Sequence, residues 1–262
     1  MSVELIAQPL PEEKALPLWG HVGELRERLI NSVLAVFIVT AAGYCLRFRL
    51  WEAAKRPLLQ AIARRSLESP EMFAPFAYTN LSEPFFALMR LSFWASVFVS
   101  SPYWFYQLWA FVRPALREKE RKMATVFVAA TSLCFIFGAV FAYSIAFPIL
   151  ADVLMDEAFK AGLRPNLRPN EYLDILLYTV LGVGIAFEAP VLFYFLGRFG
   201  LVTSRAMLSY WRQAAVVILA ASALLTPGDI IATTILFGVV LLVLYFVSTG
   251  VVWFVERRAA RP

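Results

Sequence analysis

The feature that most constrains this chain is a series of apolar runs long enough to cross a lipid bilayer. A helix needs about 20 apolar residues to cross the hydrocarbon core, and 60% of the 262 residues are apolar while 16% are charged. The sequence therefore predicts an all-α polytopic membrane protein that forms a single membrane-embedded domain over residues 1–262. We expect six transmembrane helices, at residues 30–46, 84–111, 123–150, 172–195, 213–226 and 230–252.

The loops between these runs suggest how the chain crosses the membrane. Thr226-Pro-Gly-Asp229 has the composition of a tight turn, and the apolar run before it, residues 214–225, is too short to cross a bilayer core. Either this run is extended by its polar flank, residues 210–213, or the turn lies below the membrane surface and thins the bilayer locally. We expect helices five and six to be short. Most of the 24 Lys and Arg residues lie on the side that carries both termini, which places both termini in the cytoplasm. In the long first loop, residues 51–65 predict an amphipathic helix that rests on the membrane surface.

The chain lacks the residue patterns of common enzymes. Its one histidine, His21, lies outside the apolar runs, whereas Cys45 and Cys134 lie within them, so neither a histidine metal site nor a disulfide is indicated. No phosphate-binding loop, nucleophile elbow or zinc motif occurs. The net charge of +5 suits lipid headgroups better than nucleic acid. We predict that the protein is not an enzyme and needs no metal or cofactor.

Glu188 is the most informative residue, because it lies near the middle of the fourth apolar run. An ionised carboxylate there costs about 2.5–3.5 kcal/mol or more. Two interpretations stay open. It is either a protonated glutamate with a hydrogen bond inside the bundle, or a polar site that faces a partner helix, a proton or water. Pro190 predicts a kink beside it, and we expect Arg90 in the second run to extend its side chain to the interface.

Other acidic residues lie at the ends of the runs. Asp229 is either the N-cap of the sixth helix or a contact for a partner. Glu24 precedes the first run, and Glu118 and Glu120 follow the second. Each is an ordinary solvated charge when taken alone, but together they could form a face that binds a guanidinium group bidentately. Phe111 and Trp109 beside them could hold an apolar segment.

Short motifs along the chain resemble the TatC family, the polytopic subunit of the twin-arginine protein translocase. The resemblance covers about residues 18–250, and the motifs lie at the predicted helix ends in the family's order. They are His21-Val-Gly-Glu-Leu-Arg-Glu-Arg-Leu29, Ser82-Glu-Pro-Phe-Phe86, Tyr106-Gln-Leu-Trp-Ala-Phe-Val-Arg-Pro-Ala-Leu116 with Glu120-Arg121, Phe147-Pro148, Phe187-Glu-Ala-Pro190 and Leu225-Thr-Pro-Gly-Asp229. One such motif is a weak signal, whereas six in order are specific.

The resemblance implies a receptor in the cytoplasmic (inner) membrane that binds twin-arginine signal peptides of folded precursors. It further implies small single-span partners, TatA and TatB, other copies of the chain in the same complex, and transport driven by the proton gradient. Glu24 and Glu120 match the positions implicated in recognising the arginine pair.

The resemblance also implies roles for further positions. Those on the signal-peptide surface are Leu25, Arg26 and Phe111; those expected to contact a partner within the membrane are Glu188, Asp229 and Thr233; those with structural roles are Pro57, Phe85 and Pro190. The chain departs from the family at Gly228, which replaces a proline, and at Ala232-Thr233, which replace a polar Ser-Gln pair. Contacts to a partner through the sixth helix should therefore differ in detail.

Two rival functions remain. A transporter that couples ions through Glu188 should show repeat symmetry and broken helices in both halves, whereas the sequence shows one strong intramembrane charge and one short helix. A membrane insertase or scaffold would need no arginine-binding face.

Overall fold

The structure is a computed structural model that describes residues 18–66, 76–113, 124–162, 166–225 and 231–259. These residues are helical apart from short connections, with no strand among them, which confirms the all-α prediction. A π-helical turn, Ala142–Ala146, continues directly from α5 into α6. The helices are α1 (Leu18–Cys45), α2 (Arg47–Ser66), α3 (Glu83–Val99), α4 (Ser101–Val112), α5 (Ala124–Phe141), α6 (Phe147–Lys160), α7 (Pro169–Ala186), α8 (Ala189–Arg198), α9 (Ser204–Ser209), α10 (Trp211–Leu225) and α11 (Ile231–Ala259).

The apolar helices are long enough to make this a multi-pass membrane protein. Four stretches within the described ranges could each cross a bilayer, and a fifth crossing results if α3 and α4 count as one span bent by 54°. Pro102 explains this bend, because it cannot donate a backbone hydrogen bond to Phe98. The apolar helix α10 has 15 residues, which agrees with the short fifth helix that we predicted. The total of six crossings stays a prediction.

The prediction of a short sixth helix is wrong. Helix α11 has 29 residues and continues beyond the predicted end at residue 252. Its last turns place each arginine one turn after an aromatic residue. The guanidinium of Arg257 lies 3.8 Å from the ring centroid of Trp253, and that of Arg258 lies 4.4 Å from the centroid of Phe254. These cation–π contacts stabilise helical structure where the apolar run has ended.

We call the end of the bundle near the start of α1 the Glu24 end. The opposite end, where α2 packs against α3 and α6, is the Pro57 end. Glu24 lies near the start of α1, and α1 packs against α3 and α4. At its other end the chain turns at Leu46 into α2, which packs against α3 and α6. The buried side of α2 joins the main apolar cluster through Ala54, Leu58, Ala61 and Ile62. The predicted amphipathic helix therefore buries its apolar face against the protein's own core.

Two glycines bring α5 close to α7 near Glu188. A Cβ atom added to Gly138 would lie 2.8 Å from the Cβ of Phe187, and one added to Gly184 would lie 3.2 Å from the ring of Phe135. A Cβ at Gly138 would overlap Phe187, so this close approach favours glycine there, whereas a Cβ at Gly184 would be relieved by a small shift of the Phe135 ring. This contact fixes α5 beside the residue that precedes Glu188.

Candidate functional site

The carboxylate of Glu24 already binds a guanidinium group. In α1, Arg28 donates to Oε1 of Glu24 from Nε at 3.0 Å and from Nη2 at 2.5 Å. The same guanidinium donates from Nη1 to Oε1 of Gln107 in α4 at 3.4 Å, and Gln107 donates to the hydroxyl of Tyr103 at 2.8 Å. Glu24 and Arg28 are both about a quarter exposed. This polar group therefore lies between α1 and α4 and can be reached from outside the bundle.

An apolar cavity of about 530 Å³ opens beside this polar group, and we call it the α1–α4 groove. Leu25 and Phe111 line it, and Arg28 and Gln107 contribute polar side chains to its wall. Its other lining residues are Leu29, Ser32, Val33, Val36, Phe37, Phe93, Val97, Trp104 and Leu108. The arrangement joins a guanidinium-binding carboxylate to a surface suited to an apolar chain.

The other residues predicted for this surface differ in position. Arg26 is exposed and does not line the groove. The prediction that Trp109 holds an apolar segment with Phe111 is wrong, because its ring packs against the rings of Phe127 and Phe195, with centroids 5.6 and 4.4 Å away. Residues two positions apart in a helix are separated by about 200° around its axis, so Trp109 faces the bundle interior when Phe111 faces the groove.

Three predicted residues cannot be placed against this geometry. Glu120 and Asp229 lie outside the described residues. Thr233 lies within α11, but its side chain is not described. The pairing of Glu24 with Glu120 and the partner contacts of Asp229 and Thr233 therefore remain predictions.

Glu188 lies at a break between α7 and α8. Helix α7 ends at Ala186 and α8 begins at Ala189, and Pro190 in the first turn of α8 cannot donate to the carbonyl of Ala186. The structure thus has the helix break that Pro190 predicted. The Oε1 atom of Glu188 is buried and has no hydrogen-bond partner among the described residues. A buried oxygen without a partner is costly, so Oε1 of Glu188 is suited to bind a donor beyond those that the described residues supply.

An ion pair between two of the apolar helices was not predicted from the sequence. Arg90 of α3 forms a salt bridge with Asp174 of α7, and both side chains are about a third exposed. That the Arg90 side chain extends to the interface stays a prediction, and Glu188 is not the one charged residue within the predicted apolar runs. The signal was available, because Asp174 lies just inside the fourth apolar run and opposite charges in a bilayer are expected to pair.

The two remaining family positions have distinct surroundings. Phe85, near the start of α3, is 52% exposed and meets Tyr44 of α1 edge to face, with ring centroids 6.2 Å apart. Pro57 is buried inside α2. Both lie toward the Pro57 end, away from the α1–α4 groove.

Comparison with known proteins gives one consistent family. The family model described as "Sec-independent protein translocase protein (TatC)" matches residues 20–253. The TatC of Koribacter versatilis is 31% identical over 250 residues, which cover 95% of this chain and 89% of that protein. The TatC of Desulforapulum autotrophicum is 31% identical over 237 residues, which cover 90% and 84%. A crystal structure titled "Twin Arginine Translocase Receptor- TatC" matches with a TM-score of 0.76 and 28% identity, over 90% of this chain and all of that one.

The Arg90–Asp174 pair gives a testable prediction about stability. Replacing either residue by leucine leaves the other charge without its partner, whereas replacing both removes the two charges together. We expect Arg90→Leu and Asp174→Leu each to lower the apparent melting temperature of the purified protein, and the double variant to recover most of the loss. Losses that simply add would contradict this account. Lys55→Ala is the control, since its ion pair with the exposed Glu52 should contribute little.

Proposed function

The chain belongs to the TatC family of Sec-independent protein translocase proteins, and from that membership we propose that it is the subunit that receives twin-arginine signal peptides. It is a subunit of the twin-arginine translocase and a multi-pass membrane protein. We further propose that it lies in the cytoplasmic membrane, with both termini in the cytoplasm. There it would bind the signal peptides of folded precursors and recruit partners for export driven by the proton gradient.

The observation that carries this proposal is the guanidinium held by Glu24 at the mouth of an apolar groove. Arg28 shows that the carboxylate can accept two hydrogen bonds from one arginine side chain. An arginine of the peptide would take the place of Arg28, whose guanidinium could keep its bond to Gln107. Such an exchange favours arginine over lysine, because an ammonium group is a point charge without the planar fork of donors.

The groove beside Glu24 supports binding of the segment that follows the arginine pair. Secretory signal peptides carry a basic region followed by 7–15 apolar residues. Leu25 and Phe111 line the groove next to the carboxylate, so the apolar segment would enter where the basic region is held. Glu120, by its family position, would bind the second arginine. The exposed side chain of Arg26 would lie at the edge of the peptide-binding surface.

Within the membrane, we propose that Glu188 binds a polar group of a single-span partner of the TatA or TatB kind. The unpaired Oε1 atom and the helix break supply an acceptor that a second helix could satisfy. Asp229 and Thr233 would extend this contact at the start of α11. Other copies of the chain would join the same complex.

Peptide binding tests the receptor proposal. We expect a signal peptide with Arg-Arg to bind the purified protein about tenfold more tightly than the same peptide with Lys-Lys, since hydrogen bonds to a charged group contribute about 1.5–3 kcal/mol. Glu24→Gln should remove most of this preference, and so should Glu120→Gln. Fluorescence anisotropy of labelled peptides measures both affinities.

The matched control is Glu27→Gln, which removes the same charge from an exposed position of the same helix. It should leave the preference for arginine intact. Equal affinity of the wild type for the two peptides would show that the receptor proposal is wrong.

Glu188 should act on partner association instead of peptide binding. Interhelical hydrogen bonds in membranes contribute about 0.6–1.7 kcal/mol, so Glu188→Ala should weaken co-purification of the single-span partner about three- to fifteenfold and slow export. Glu188→Gln, which can still form a hydrogen bond, should retain more of both. Loss of peptide binding in a folded Glu188→Ala protein would contradict this separation of roles.

A further inference from the structure

Pro57 interrupts the hydrogen bonds of α2 at a buried position. In a regular helix the amide of residue 57 would donate to the carbonyl of Ala53, four residues earlier. Proline has no amide hydrogen, so the carbonyl of Ala53 has no donor within the helix. Helix α2 nevertheless continues from Arg47 to Ser66 through Pro57. Ala53 is half-buried, and a carbonyl that packing shields from water requires a donor from elsewhere.

The structure supplies that donor from the π-helical turn. The hydroxyl of Tyr143, within Ala142–Ala146, donates to the carbonyl oxygen of Ala53 at 2.6 Å. The two neighbours at the ends of this turn, Ala142 and Ala146, are almost fully buried. A π-turn inserts one extra residue into a helix and changes the direction of the side chains around it. The turn therefore contributes to aiming the ring of Tyr143 at α2.

A second tyrosine makes a bond of the same kind with a different consequence. The hydroxyl of Tyr172, in α7, donates to the carbonyl oxygen of Ala54 at 2.5 Å. The helical donor for Ala54 is the amide of Leu58, which is present. Tyr172 therefore adds a bond to a carbonyl that α2 can itself satisfy, whereas Tyr143 replaces a bond that Pro57 has removed.

We propose that Tyr143 is the residue that positions α2 over the Pro57 end of the bundle, by donating to the carbonyl that Pro57 frees. Pro57 frees a backbone acceptor that a donor from a neighbouring helix can bind, so the effect of Pro57 on the position of α2 depends on Tyr143. The bond from Tyr143 joins α2 to the π-helical turn between α5 and α6, and the bond from Tyr172 joins α2 to α7. Neither bond involves a peptide or a partner subunit, so the proposal is independent of the receptor function.

A double-mutant cycle between Pro57 and Tyr143 tests this coupling. Hydrogen exchange of α2 is measured by mass spectrometry on the full chain in lipid nanodiscs. In Tyr143→Phe the carbonyl of Ala53 loses its donor, so we expect exchange in α2 to accelerate about fivefold or more, the lower limit for an unsatisfied buried group. In the Pro57→Ala background the new amide satisfies Ala53, so Tyr143→Phe should change exchange by less than about twofold.

Tyr172→Phe is the matched control, because it removes an equivalent hydroxyl whose acceptor keeps its helical donor. It should change exchange by the same factor with proline or alanine at position 57. An equal effect of Tyr143→Phe in both backgrounds, or no effect with Pro57 present, would overturn the proposal. If Tyr143→Phe alone fails to accumulate, accumulation of Pro57→Ala/Tyr143→Phe supports it, and failure of both variants contradicts it.

Discussion

The hydrocarbon core of a bilayer offers no water to polar groups, so each one in this chain must find a partner inside the bundle. The hydroxyls of Ser92, Ser96 and Ser100 meet this requirement by donating to carbonyls one turn earlier, at 2.8, 2.7 and 2.7 Å. Arg90 and the carbonyl that Pro57 frees have their partners on other helices. The salt bridge between α3 and α7 and the bond from Tyr143 to α2 are of this kind. The same requirement therefore stabilises the helices and determines which of them are neighbours.

The proposed function depends on two of the places where this requirement is met only in part. Glu188 keeps one oxygen without a partner among the described residues, at a break that exposes backbone groups as well. Glu24 has a partner in Arg28, but the pair lies beside an open groove where another guanidinium could replace it. A translocase subunit needs contacts that form and dissociate during each cycle. The exchangeable Glu24–Arg28 pair beside the groove and the unpaired acceptor of Glu188 both suit that need.

Much of the fold could be predicted from the sequence, because the length of apolar runs and the positions of prolines depend on local physics. The helix break at Pro190 and the short α10 were predicted on those grounds, and ordered motifs predicted the family. What the sequence did not provide depends on contacts between distant residues. The pairing of Arg90 with Asp174, the inward orientation of Trp109 and the bond from Tyr143 to Ala53 link helices that are far apart in the chain. The end of α11 was predicted too early because the prediction followed apolar content alone. The cation–π pairs that continue the helix lie where that content has ended.

Site-specific photo-crosslinking tests the central claim most directly, because it asks where the signal peptide lies on the full chain in its membrane. A photoreactive amino acid is placed at Leu25 or Phe111 in the groove, and at Phe48, which is 62% exposed toward the opposite end. The account predicts crosslinks to an Arg-Arg precursor from Leu25 and Phe111 and none from Phe48, with the groove crosslinks lost for the Lys-Lys precursor. Crosslinks that are equal at all three positions, or that persist with Lys-Lys, would contradict it.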